Sequence, residues 1–200
     1  MDPRQFAVAR FGGRRVPHGL RHLPVVDDAA DVAGLTSFRR IIVVGPHADL
    51  SAVLTRLLRA DRLDIEVAHV TRPWQGRRGL TGAATRVPLI RDETGTVITE
   101  AAFWLPEDGA VTIRGEAVVD DTVLFEGEVT GVQIQPIAVL PGLRASTLSG
   151  RMRPNRWLTG RAAQLGTPGA LVVRDGQQAP RAVRRSTFYR HTEGWLRVAS

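Results

Sequence analysis

The strongest constraint on the fold lies between Arg39 and Val70. Residues 41–44 are Ile-Ile-Val-Val, the composition of a strand buried on both faces, as parallel strands are when crossover helices cover them. Leu50, Val53, Leu54, Leu57 and Leu58 follow at i, i+3, i+4, i+7 and i+8, which is one apolar face of a helix. Ser51, Thr55, Arg56 and Arg59 fall on its other face. Asp61 and Asp64 punctuate the end, and residues 65–70 supply a second strand. Strand, glycine turn, helix and strand make a βαβ unit, and such units take ligands where a strand ends and a helix begins.

Upstream, residues 6–11 read as a short strand, and Asp27, Asp28 and Asp31 open a short helix that Gly34 ends, with acids at its positive end. The N-terminal third is thus β, α, β, α, β. Residues 71–85 carry Pro73, Trp74, Gly76, Arg77, Arg78, Gly79 and Gly82, a loop composition that marks a boundary. Beyond it the period changes from 3.6 to 2. Residues 86–91 and 96–104 are strand-like around a turn at 92–95, and 106–109 turns again. Strands are expected at 110–119, 122–126 and 128–140, with Gly115, Gly127 and Gly131 as bulges or close approaches. A loop at 143–154 precedes strands at 156–165, 170–175, 182–191 and 195–198, with turns at 166–169 and 175–178. The expected class is α+β: a small Rossmann-like α/β layer (residues 1–75), a linker (76–85) and an antiparallel β-sandwich or barrel (86–200).

Composition removes several chemistries. The 200-residue chain has no cysteine, hence no disulfide framework, no thiolate nucleophile and no cysteine-held metal. It has no run near the roughly 18 apolar residues of a membrane helix, and residues 1–13 lack the apolar core of a signal peptide, so a cytoplasmic, non-transmembrane protein is expected. All 27 basic residues are arginine, which excludes a lysine nucleophile or phosphate-loop lysine and leaves planar, bidentate contacts to phosphate and carboxylate. A GC-rich genome is the simpler source of that bias. Charge is segregated: residues 1–91 hold 15 Arg against 8 acids, 92–143 hold 1 against 10, and 144–200 hold 11 against 2, giving +7, −9 and +9. An acidic block beside a basic block of equal size is most simply neutralised within one domain by cross-strand pairs. The alternative is a basic ligand-binding face, for which nucleic acid is the less favoured partner.

Several residues are candidates for chemistry. Gly45, Pro46, His47, Ala48 and Asp49 occupy the turn into the helix, where free N–H groups and the helix dipole suit a phosphate. Pro46 brings no N–H, however, and Asp49 sets a negative charge there, so a helix cap explains Asp49 better. Gly12, Gly13, Arg14 and Arg15 read as a plain turn, with an anion cradle as the alternative. Arg77 and Arg78 with Trp74 read as a solvated linker with one anchoring aromatic, or as an anion contact. Asp120, Asp121, Glu126 and Glu128 read as a solvated acidic strand rather than a metal site. In the tail, strand alternation puts Phe188 in the core beside Trp195 and leaves Arg185, Tyr189 and His191 on the open side, suited to phosphate or carboxylate. His47, His69 and His191 are isolated in sequence, and no HExxH, Gly-x-Ser-x-Gly or P-loop occurs.

The order of elements resembles the bacterial diacylglycerol kinase or lipid kinase family, an α/β nucleotide-binding domain followed by a β-sandwich. VVGPHADLSAVLTRLL resembles the family's strand, Gly-Gly-Asp-Gly-Thr loop and helix, and VVRDGQQAPRAVRRSTFYRHTEGWLRV its terminal strands. Of that loop only Gly45 is kept. The family's Pro-Leu-Gly-Thr segment has no counterpart beyond Thr71, Arg72 and Pro73. Asp121 falls near the family's Asp-Gly-x-Leu base motif, with Thr122 in place of glycine, and the chain is shorter than the family's enzymes. The resemblance therefore implies a member without ATP binding and without a cofactor or metal. It would act through a basic surface on an anionic small molecule, a lipid headgroup or a partner protein, using Gly45, His47, Arg77, Arg78, Arg185, Tyr189 and His191. The alternative is a small phosphotransferase-like enzyme using Asp121 or His47 at a cleft between the two parts.

Overall fold

The computed structural model describes residues 5–28, 34 and 36–199; of the helix expected from Asp27 to Gly34, residues 29–33 lie outside them, and Asp27 and Asp28 are not helical. The chain forms two compact units, residues 1–87 with 193–200, and residues 88–192.

The first unit is built on a six-stranded sheet. β1 (Phe6–Arg10) is flanked by β2 (Val25–Val26) and β3 (Arg40–Val44), both parallel to it. β4 (Glu66–Val70) is parallel to β3, and the C-terminal strand β17 (Trp195–Val198) is parallel to β4. β5 (Ala84–Val87) closes the edge antiparallel to β17. The whole of β3 is buried, as its β-branched run requires. α1 (His47–Arg59) crosses from β3 to β4 and buries Leu50, Val53, Leu54 and Leu57; each contributes roughly 1.5–3 kcal/mol relative to exposure. Ser51 and Thr55, expected on the solvent face, are buried too. They flank the apolar stripe, and small hydroxyl side chains widen the covered face without adding bulk.

Residues 76–81, expected within a linker, are a helix. A 3-10 turn (Pro73–Gln75) runs directly into α2 (Gly76–Thr81). The stretch that signals a loop by composition instead packs on the sheet: a Cβ on Gly79 would stand at contact distance, 3.4–3.5 Å, from Ala68, Val70 and Ile42. Arg40, only 6% exposed, holds the far end of α2. Its guanidinium donates to the carbonyls of Gly79 (3.0 Å), Leu80 (2.7 Å) and Gly82 (2.9 Å) and to Glu66 Oε2 (2.6 Å). A buried cation at a helix C-terminus satisfies carbonyls the helix itself leaves open.

The second unit is one eleven-stranded antiparallel sheet. Its strands are β6 (Ile90–Asp92), β7 (Val97–Ile98), β8 (Ala102–Leu105), β9 (Ile113–Val119), β10 (Thr122–Val129), β11 (Val132–Pro136) and β12 (Leu143–Thr147), then β13 (Leu158–Gly160), β14 (Ala162–Arg174), β15 (Gln177–Gln178) and β16 (Val183–Arg190). β14 pairs with β16 and β9 through its first half and with β8 through its second. One long strand thereby serves both halves of the sheet, and a single core collects Trp104, Phe188, Ile134, Leu165 and Val172.

Three expectations change here. Residues 166–169 are a bulge inside β14, with a register shift between Gly166 and Ala170, because the Thr167 hydroxyl takes over local bonding to Arg114 O and the Gly169 amide. Residues 143–147 are strand, since Leu143 and Ala145 are buried beneath a loop-like composition. Residues 195–198 join the first sheet, while Phe188 belongs to the core of the second unit and packs on Trp104 at 6.0 Å. The close approach expected at Gly115 is present: a Cβ there would lie 2.2 Å from Gly166 O.

Candidate anion site at the strand ends

In an open parallel sheet the carboxyl ends of the strands form the crevice that takes ligands. Here the ends of β1, β3 and β4 deliver Arg14 and Arg15, Gly45 and Pro46, and Thr71, Arg72 and Pro73 to a cavity of about 450 Å³. The Arg pair is placed by Gly12 and Gly13, both at φ +68°, a left-handed conformation that glycine adopts without strain. Arg10 braces the turn, donating to Arg14 O (2.6 Å) while pairing with Asp27 through Nε (2.5 Å).

The turn from β3 into α1 is fastened from several sides. Gly45 N donates to Val70 O (3.2 Å), and Gly45 O accepts from His69 Nε2 (2.8 Å). The His47 ring stands edge-on to His69 at 4.6 Å, so these two histidines, isolated in sequence, meet in space. The helix begins after Pro46, which offers no side-chain cap. Asp49, expected as the cap, is the third helical residue, and its carboxylate folds back on Gly45: a Cβ added to Gly45 would lie 2.0 Å from Asp49 Oδ2. Arg14 Nη1 donates to the same oxygen at 2.9 Å. Burial raises the Asp49 carboxyl above its ordinary range and Arg14 opposes that more weakly. A carboxylate thus occupies the helix end where a phosphate would otherwise rest.

Among the described residues Arg15 and Arg72 have no carboxylate partner. Arg72 lies over the face of Trp74, 5.2 Å from the ring centre. Trp74, expected as an anchoring aromatic, is 69% exposed. Of the expected site residues, Gly45 lines the cavity. His47 packs on His69, and Arg77 and Arg78 are exposed on α2.

In the second unit, Tyr189 and His191 are brought together by a residue sequence reasoning missed. Arg91 lies over the Tyr189 ring (4.5 Å) and donates to His191 Nδ1 (3.3 Å). Arg185 is exposed on the same strand, and six residues at ~3.3 Å each place it about 20 Å from His191. Those three do not form one site. Asp121 is exposed at the β9–β10 turn. Its neighbour Asp120, at φ +50°, accepts from the amides of Arg161 and Ala162 (3.0 and 2.9 Å) and serves the fold. Among the described residues no three His, Asp or Glu side chains converge as metal ligands would. Of the three arginines that line the cavity, Arg14, Arg15 and Arg72, the first is paired with Asp49 and the other two are left to hold an anion. The Gly-Gly-Arg-Arg run reads first as a plain turn and carries Arg14 and Arg15 only as the alternative anion cradle, and Arg72 enters only within the remnant Thr71, Arg72, Pro73.

No protein-family model matches the sequence, and no curated protein matches it. Solved structures do match in fold. An NAD kinase from Archaeoglobus fulgidus, crystallised in complex with ATP, is 15% identical with a TM-score of 0.66, over 97% of this chain and 93% of that one. A putative diacylglycerol kinase from Bacillus anthracis str. Sterne is 10% identical with a TM-score of 0.70, over 98% of each chain. A second diacylglycerol kinase structure from the same strain has 10% identity and a TM-score of 0.70, over 98% and 97%. The fold is shared with these kinases. The resemblance to the diacylglycerol kinase family is thus met at the level of fold, but the expectation of a chain shorter than the family's enzymes is not met by these neighbours, since the matched spans take in nearly all of each.

Proposed function

We propose that this chain keeps a kinase fold but binds an anionic ligand, a phosphate-bearing small molecule or lipid headgroup, without transferring phosphoryl groups. One observation carries the reading: the Asp49 carboxylate lies against Gly45 and pairs with Arg14 at 2.9 Å. A fold neighbour crystallised with ATP supports the idea that this architecture accommodates a triphosphate. In this chain the strand-to-helix turn has one glycine, a proline without an N–H, and an acid that supplies the negative charge itself. Like charge repels a phosphate there. What remains is the adjoining cavity, whose Arg15 and Arg72 guanidinium groups match a phosphate or carboxylate in geometry.

Calorimetric titration with Mg-ATP and with glycerol 3-phosphate, beside a phosphorylation assay on diacylglycerol and on NAD, tests this. The expected result is glycerol 3-phosphate binding that weakens about tenfold or more in Arg15→Ala, since a charged hydrogen bond is worth ~1.5–3 kcal/mol, with no turnover. ATP-dependent phosphorylation abolished by Asp121→Ala would sink the proposal in favour of a small phosphotransferase.

A further inference from the structure

The helical stretch beside the cavity carries a feature that the fold does not need. Trp74 is 69% exposed, whereas Trp104 and Trp195 are 0% and 8% exposed. An exposed cation–π contact such as that with Arg72 is worth only ~0.5–1 kcal/mol, little beside what burial of an indole would return. The 3-10 turn and α2 are continuous from Pro73 to Thr81, so Arg77 and Arg78 fall three and four residues after Trp74, on its side of the helix. Gly76 and Gly79, both buried, turn the opposite face to the sheet. No acidic residue occurs between Glu66 and Asp92. An indole with Arg72 over one face and Arg77 and Arg78 three and four residues further on, beside the cavity that holds Arg15, makes a surface apolar at its centre and cationic around it.

We propose that this face docks on an anionic bilayer surface, with Trp74 inserted at headgroup depth and the arginines drawn to anionic lipid. This rests on the anion-pocket reading and deepens it: the phosphate that the pocket takes is that of a lipid headgroup presented by the membrane. Indole side chains favour the headgroup region, and cations near an anionic leaflet attract it. The chemistry suits a bilayer better than a nucleic-acid strand. Trp74 is a single aromatic with one face already covered by Arg72, whereas strand binding stacks successive bases on open rings.

Co-sedimentation with vesicles of phosphatidylcholine, alone or mixed with phosphatidylglycerol, tests the docking, with a single-stranded oligonucleotide as competitor. The full chain is expected on the mixed vesicles and not on the neutral ones. Arg77→Ala with Arg78→Ala should weaken partitioning about thirty-fold at low salt, and Trp74→Ala about ten- to a hundredfold. Equal partitioning of Trp74→Ala and the unaltered chain would overturn the proposal, as would displacement by the oligonucleotide. Glycerol 3-phosphate titration separates the two readings. Trp74-dependent vesicle binding without glycerol 3-phosphate binding keeps the docking face and removes the pocket. Glycerol 3-phosphate binding without vesicle binding does the reverse.

Discussion

Asp49 is held between opposing influences. Burial raises its carboxyl, and Arg14, 2.9 Å away, pulls it down less strongly. A carboxyl whose folded value lies above its unfolded one stabilises the fold while protonated, and that stability is lost as pH rises through the folded value. Asp49→Asn removes the cost of the buried charge. The melting temperature of Asp49→Asn relative to the parent is therefore expected to climb as pH rises from about 3.8, the unfolded value, through the raised folded value, and to hold constant above it. Thermal melts at matched pH check this; an offset that does not change with pH would mean that Arg14 fully compensates burial. None of this was legible locally. Asp49 read as a cap because its sequence position suits one, and the partner that decides its role lies 35 residues upstream. Arg40 was equally silent, since nothing beside the Ile-Ile-Val-Val run tells that its neighbour turns inward to three carbonyls.

At the scale of elements, β3, α1 and β4 were legible because their burial pattern is strong and local: one run buried on both faces and one stripe of period 3.6. α2 was not. Gly76, Arg77, Arg78 and Gly79 have the composition of a loop, and only the sheet beneath them makes a helix of it. That contact yields a prediction whose sign depends on size. A Cβ at Gly79 meets Ala68, Val70 and Ile42 at 3.4–3.5 Å, ordinary contact distance, and alanine is favoured over glycine in a helix by ~1 kcal/mol. Gly79→Ala should stabilise by up to about 1 kcal/mol, and Gly79→Leu should cost ~1–3 kcal/mol through overpacking. Urea denaturation of both variants decides whether α2 rests on the sheet as closely as described. The bulge at Gly166 escaped for a related reason. Two glycines around Thr-Pro mimic a turn, and only the pairing of both flanks with neighbouring strands keeps them in one.

For the whole molecule, charge and chain path each teach something that local patterns could not. The acidic and basic blocks do enter one sheet, where β9 lies between β10 and β14. Yet among the described residues Arg174–Asp92, at 2.6 Å, is the ion pair that joins them. Glu116 faces Glu126 in register, and Arg184 and Arg185 stay exposed. Neutralisation between the blocks thus comes from adjacency more than from paired side chains. The path is the larger surprise. Alternation at residues 195–198 announces a strand but carries no information about which sheet receives it, and β17 goes back to the first, between β4 and β5. Val198, 2% exposed, makes it part of that unit's core. Removing residues 193–200 should strip β5 of its partner and expose the free edge of β4, while the core of residues 88–192 contains no side chain from β17. Hydrogen exchange on the shortened chain is expected to show lost protection in β4 and β5 with β14 and β16 unchanged. Protection retained in β5 would mean that this edge is held by something other than the returning strand.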